Sequence, residues 1–255
     1  MRQYEPRTPA GLVPVCEAVQ EICDSASMYH FTGFRPDPFL IRMDSGSGRS
    51  CTVRYITDMF RLNRVLDFAS SRQDCLELKL DGTLPQLRDA LDEIHGAAEY
   101  DNCYREVIAM DISALADHPN ETQTDEFLNA METICAQAFV IFFVRRVPSA
   151  REERLIARLY EHVPVIRSIF VDEYTYGELA EITARIVEDT GIEIRGREDF
   201  VRETAAVLEA QENTRVSQAR ALAMRLVRRA DYSAVTPYIG AEAVQEEYKT
   251  MKGVL

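Results

Sequence analysis

Phe39-Leu40-Ile41-Arg42-Met43-Asp44-Ser45-Gly46-Ser47-Gly48-Arg49-Ser50 is a short apolar run leading into a glycine-containing turn. The residues that follow, Cys51-Thr52-Val53-Arg54-Tyr55-Ile56-Thr57-Asp58-Met59-Phe60, carry helical periodicity, so the stretch reads as strand, loop and helix. It departs from the phosphate-binding pattern G-x-x-x-x-G-K-[ST]. In that pattern glycines let backbone N–H groups wrap phosphates, the lysine reaches the β- and γ-phosphates, and the hydroxyl sits on Mg²⁺. Here Met43 stands for the first glycine and Arg49 for the lysine, while Gly46, Gly48 and Ser50 keep their spacing.

Working outward, the apolar runs Pro38–Asp44, Cys75–Leu80, Val107–Asp111, Ala138–Val147 and Val165–Val171 are continuous rather than alternating. This suits a parallel sheet buried on both faces. Helix-length amphipathic segments, Thr52–Phe60, Leu84–Glu99, Thr124–Cys135 and Ala150–Glu161, separate them and give βαβ alternation. The expected fold is α/β, a doubly wound parallel five-stranded sheet over residues 1–174. From Thr175 the apolar residues recur at helical spacing (Leu179, Ile182, Ile186; Phe200, Ala205, Leu208; Ala219, Leu222, Leu226), which predicts a helical subdomain over 175–255.

Composition bounds the function. A chain of 255 residues, 46% hydrophobic, can bury a full core. Its longest apolar run, Ala138–Val144, falls short of the roughly 20 residues of a membrane helix and reads as a buried strand. The start Met1-Arg2-Gln3-Tyr4-Glu5-Pro6 has no signal pattern, and the six cysteines form no C-x-x-C pair, so reduced thiols and a cytoplasmic setting are expected. A net charge of −13 argues against non-specific nucleic-acid binding and favours protein partners. The four histidines (30, 95, 118, 162) show no metal-binding spacing.

The order of these parts, a phosphate-loop remnant, a later strand ending in Asp111, a further apolar strand and a helical tail, resembles the AAA+ ATPases. Glu106-Val107-Ile108-Ala109-Met110-Asp111-Ile112-Ser113-Ala114-Leu115 looks like the G-V-L-F-I-D-E-A-Y-x-L segment of the branch holding red-type rubisco activase and sporulation stage V protein K. Ile169-Phe170-Val171-Asp172-Glu173-Tyr174-Thr175-Tyr176-Gly177-Glu178-Leu179 looks like that branch's F-x-D-Y-T-x-x-E-L, with one inserted residue. The resemblance implies a P-loop NTPase domain with a C-terminal helical lid, binding ATP or ADP with Mg²⁺ and working as a homo- or hetero-oligomer.

Carried over position by position, it places nucleotide at Gly46, Ser47, Gly48, Arg49, Ser50 and Cys51, and Mg²⁺ at Ser50 and Asp111. The carboxylate that follows the strand-end Asp and positions the attacking water is Ile112, and losing a general base typically lowers the rate by about 10²–10⁴-fold. Asp117 and Glu121 are the neighbouring carboxylates that stand near enough in sequence to substitute. Arg158 sits where the family has the arginine that reaches a neighbour's γ-phosphate, and Arg215, in Asn213-Thr214-Arg215, where the lid arginine touches nucleotide; a solvated helix-end residue and a helix cap explain them as well. The strand end Phe142-Phe143-Val144-Arg145-Arg146 lacks the family's polar sensor, and Leu80-Asp81-Gly82-Thr83 lacks a pore-loop aromatic. Three functions stand open: a subunit that binds nucleotide with weak or no hydrolysis, a slow ATPase remodelling a protein partner, and a nucleotide-free scaffold.

Overall fold

The computed structural model describes residues 8–28, 36–65, 75–79, 107–117, 121–212 and 214–253. The expected helix over Leu84–Glu99, the turn Leu80–Thr83, His30, His95, His118, Cys103 and Asn213 lie outside the described residues.

The first unit spans residues 1–45 and 49–171. Its chain runs α1 (Val13–Met28), β1 (Phe39–Arg42), α2 (Arg49–Leu62), β2 (Cys75–Lys79), β3 (Val107–Asp111), α3 (Ser113–Asp117), α4 (Glu121–Gln137), β4 (Phe139–Val144), α5 (Ala150–His162) and β5 (Arg167–Phe170). The five strands form one parallel sheet in the order β2-β3-β4-β1-β5. Each expected strand is present: β3 has the expected bounds, β2 starts where expected at Cys75, and β1, β4 and β5 are shorter at their ends by one to three residues.

Alternate strand residues feed two apolar layers, as the two-residue period of a strand requires. Leu40, Ile108, Met110, Val140, Phe142 and Val144 join a cluster with Phe127, Leu128 and Met131 of α4 and Leu155, Ile156 and Leu159 of α5. Phe139 faces the other way, edge-on to Phe39 at 5.1 Å and to Phe60 of α2 at 4.9 Å. The sheet is therefore covered on both faces, as continuous apolar strands demand. Helix α1 was not anticipated, although Val15, Ala18, Val19, Ile22, Cys23 and Ala26 sit at helical spacing on its buried face and Pro14 stands in its first turn, where a missing N–H is tolerated.

Short polar sequences fix where helices begin. Ser149 caps α5 by accepting from the Glu152 N–H while the Glu152 carboxylate accepts from the Ser149 N–H at 2.9 Å. Glu152 is buried, and its remaining acceptor capacity is used by the Arg145 N–H and by Arg145 Nη1 at 3.2 Å.

The second unit comprises Gly46–Gly48 and residues 172–255. It holds α6 (Tyr176–Asp189), β6 (Glu193–Ile194), α7 (Arg197–Ala210), α8 (Val216–Val227), β7 (Tyr238–Ile239) and α9 (Ala241–Met251), with β6 and β7 paired in parallel. The helical content matches the periodicity, but the inward face of α6 is rotated from the expected one. Leu179, Ala180, Thr183, Ala184 and Val187 are buried, while Ile182 and Ile186 are only partly covered. Small residues allow α8 to approach closely, and the Thr183 hydroxyl is satisfied by the Leu179 carbonyl at 2.8 Å and the Ala219 carbonyl at 3.3 Å.

Phe139 is fully buried between two aromatic partners. Phe139→Ala is expected to lower the unfolding free energy by about 3–5 kcal/mol, read from the midpoint of urea denaturation at unchanged slope.

Candidate functional site

The loop turns on its glycines. Gly46 and Gly48 have φ of 84° and 93°, in the left-handed region where a side chain is strained, and α2 begins at Arg49. Met43 continues the strand pairing, its N–H donating to the Val144 carbonyl at 3.0 Å, and its side chain is wholly buried. A core anchor has thus replaced the first glycine.

Arg49 turns inward across the carboxyl ends of the strands. Its Nη1 donates to Asp111 Oδ2, and its Nη2 donates to the Met43 carbonyl at 2.9 Å. The guanidinium lies over the ring of Phe143, 5.4 Å from the centroid, a cation–π contact. Phe143 stands opposite Asp111 in the β3–β4 register, so Arg49 passes over β4 to reach the end of β3. Asp111 Oδ1 accepts from the Ser113 N–H at 3.1 Å, and both carboxylate oxygens are engaged. Arg49 is 15% exposed and Asp111 34%, while Arg49 Nε is buried with no hydrogen-bond partner. The planar guanidinium fork allows this double attachment, whereas a lysine ammonium is a point charge.

Ile112 is fully buried in the apolar cluster of α4 and α5, and its N–H donates to the Phe143 carbonyl at 3.0 Å. Of the two carboxylates weighed as replacements for the base, Asp117 accepts from Arg145 Nη2, and Glu121 is an exposed residue opening α4. Arg145 is held between Asp117 and Glu152; the hydrogen bond to Asp117 is the largest cause that raises its pKa, and Asp111 adds a further favourable charge. Arg146 pairs with Asp44 at 3.5 Å. β4 and the two residues after it thus supply an aromatic that carries Arg49 and two arginines engaged with acids.

The other expected residues are placed as follows. Ser47 and Gly48 are partly covered, and Ser50 and Cys51 are exposed on the first turn of α2. Arg158 is a partly covered residue of α5 whose Nη2 donates to Asp125 of α4. Arg215 immediately precedes α8, its N–H donating to Gln218 Oε1 at 3.1 Å. Within that same unit the Ser217 N–H donates to the Gly46 carbonyl at 3.2 Å, and the Tyr174 hydroxyl donates to the Ser47 carbonyl at 2.8 Å. A Cβ at Gly46 would stand 3.2 Å from Ser217 Oγ and 3.8 Å from Arg215 Cδ. Phe143 and Tyr174 are contributors the sequence reading did not single out as site residues. Tyr174 lies inside the quoted Tyr174-Thr175-Tyr176-Gly177-Glu178-Leu179 segment, whose Thr175 and Glu178 form the capping box of α6.

The two halves of the expected ligand fare differently. The left-handed backbone at Gly46 and Gly48 is of the kind that can turn N–H groups toward a phosphate oxygen. Mg²⁺ does not fit this arrangement, because the Asp111 oxygens that would hold it are taken by Arg49 and by the Ser113 N–H.

No protein-family profile and no curated protein sequence matches the chain. Its structure is similar to that of the RuvB Holliday junction branch migration motor of Thermotoga maritima, with a TM-score of 0.60 and 16% identity over 95% of this chain and 70% of that one. It is also similar to domain III of the Thermotoga maritima replication initiation protein DnaA, with a TM-score of 0.59 and 12% identity over 96% of this chain and 94% of that one. At such identities the likeness is one of fold, and the fold is the α/β P-loop NTPase fold of the AAA+ type.

Because Ile112 points into the core, Ile112→Glu is expected to destabilise the protein by roughly 3–5 kcal/mol at neutral pH rather than to supply a base. Burial raises the folded-state pKa of the new carboxyl above its unfolded value, so the variant comes closest to wild-type stability in acid and falls further behind as pH rises through the folded pKa. Urea unfolding at about pH 5 and about pH 8 checks this.

Proposed function

We propose that this chain is an AAA+-type subunit that has given up hydrolysis and acts by assembling with a protein partner, in a homo- or hetero-oligomer, with ATP or ADP as the ligand of the loop Gly46–Cys51. One observation carries the reading: the lysine-position residue Arg49 is bound to the strand-end Asp111, beside a base position whose side chain, Ile112, is part of the core. Hydrolysis needs a positioned water and a stabilised γ-phosphate, and the three groups that would supply them are a buried isoleucine, an aspartate already neutralised and the arginine that neutralises it.

RuvB of Thermotoga maritima is a Holliday junction branch migration motor. The present chain carries a net charge of −13, and Arg49, Arg145, Arg146 and Arg158 each face an acid. A protein partner suits that balance better than a polyanion. The Thr175–Glu178 capping box follows the Y-T-x-x-E-L part of the red-type rubisco activase and sporulation stage V protein K motif, which supports that branch of the superfamily. Arg158 is the residue proposed to reach a neighbour's nucleotide, exchanging Asp125 for a phosphate across a subunit contact.

Steady-state assays of the purified chain are expected to show no ATP turnover above background, while ADP at about 100 times its Kd raises the unfolding free energy by about 2.7 kcal/mol. Turnover near a typical enzyme rate of about 10 s⁻¹, lost in Asp111→Ala, would contradict the loss of hydrolysis. The absence of any ADP stabilisation would favour the nucleotide-free scaffold. Sedimentation velocity is expected to show species larger than a monomer when nucleotide is present. Arg158→Ala is expected to leave thermal unfolding within about 1 kcal/mol of wild type, as for an exposed ion pair, while reducing that assembly.

A further inference from the structure

We infer that the Arg49 guanidinium replaces the divalent metal ion of this site, so that Asp111 binds no metal and the phosphate ligand is taken without magnesium. The identity of that ligand rests on the nucleotide reading above; the exclusion of the metal does not.

In a P-loop site the metal joins the strand-end aspartate to phosphate oxygens and offsets the charge of both. Arg49 already performs the first half of that task. Its Nη1 is on Asp111 Oδ2, its Nη2 is on the Met43 carbonyl, and the plane is supported by the Phe143 ring at 5.4 Å. The second aspartate oxygen is held by the Ser113 N–H at 3.1 Å. A hydrated metal ion entering here would have to displace a cation that is 85% covered (15% exposed) and leave it against an aromatic ring without its acid. Moving a charge off a partly desolvated partner is unfavourable unless another partner of equal quality is provided.

The wider electrostatics point the same way. Asp111 faces two cations, Arg49 in contact and Arg145 close enough that Asp111 favours its charged form. The other acids nearby are engaged as well: Asp117 and Glu152 hold Arg145, and Asp44 holds Arg146. A third cation of double charge would therefore meet an aspartate already neutralised and two guanidinium groups that repel it. What the guanidinium keeps in reserve is donor capacity. An arginine has five N–H donors, and Nε is buried without a partner. A group bonded to a carboxylate on one side with a donor to spare can bridge to a phosphate oxygen, as the metal does.

Mn²⁺ alone is the probe, followed by electron paramagnetic resonance of the free ion. Wild-type protein is expected to show no Mn²⁺ site that depends on Asp111. Arg49→Met is expected to uncover one, and Arg49→Met combined with Asp111→Asn to lose it again. Mn²⁺ binding by the wild type that Asp111→Asn abolishes would overturn the inference, as would an Arg49→Met protein that is folded by circular dichroism and still binds none. Should that variant not fold, the wild-type titration against Asp111→Asn still decides.

The ligand half is read by ADP thermal shift in EDTA and in excess Mg²⁺. The apparent Kd is expected to agree within about twofold, and tightening by about tenfold or more with Mg²⁺ would overturn metal-free binding. No shift in either buffer would contradict the nucleotide reading and leave the exclusion of metal to stand or fall on Mn²⁺.

Discussion

The ion pair between Arg49 and Asp111 constrains what surrounds it. It joins the first residue of α2 to the last residue of β3, with β4 between them. For the guanidinium to lie there, β4 must present a flat apolar surface, which Phe143 supplies, and the backbone after β1 must offer a carbonyl, which Met43 does while its own side chain is held in the core. Met43, Arg49 and Phe143 therefore form one arrangement. Arg49 and Phe143 are accounted for by the position of a single guanidinium, and the Met43 side chain by its place in the core.

Ile112 belongs to the same logic. Directly after the paired aspartate the chain turns into the apolar cluster under α4 and α5, where the Ile112 side chain is fully buried. Arg145 and Arg146, tied to Asp117, Glu152 and Asp44, close the ends of β4 and β1 with acid–base pairs. At the carboxyl ends of these strands the charged groups are satisfied by one another.

Much of this was legible in the sequence, and what was not has definite causes. Continuous runs such as Phe139–Val144 announced a parallel sheet, because strands buried on both faces need no polar alternation. The substitutions Met43, Arg49 and Ile112 were visible as departures from a pattern with a known chemistry. Where Arg49 points was not visible: a side chain six residues from Met43 and sixty-two from Asp111 meets both only through strand order, which periodicity does not reveal. The inward face of α6 was misjudged because Ala180, Thr183 and Ala184 are weak hydrophobic signals, yet their small size lets helices approach more closely than Ile182 and Ile186 would. Helix α1, outside the expected elements, carries its helical signal in Val15, Val19 and Ile22. Tyr174 combines a nearly buried ring with a hydroxyl on the Ser47 carbonyl, a contact no local pattern encodes.

The central claim, that Arg49 and Asp111 satisfy each other inside the site, is tested most directly by a double-mutant cycle on stability with Arg49→Met, Asp111→Asn and the pair combined. The account predicts that the changes are strongly non-additive, with a coupling of roughly 1–3 kcal/mol, because each single change leaves a partly buried group without its partner and the double change does not. Effects that add within about 0.3–0.5 kcal/mol would show that the two residues do not interact and would contradict it.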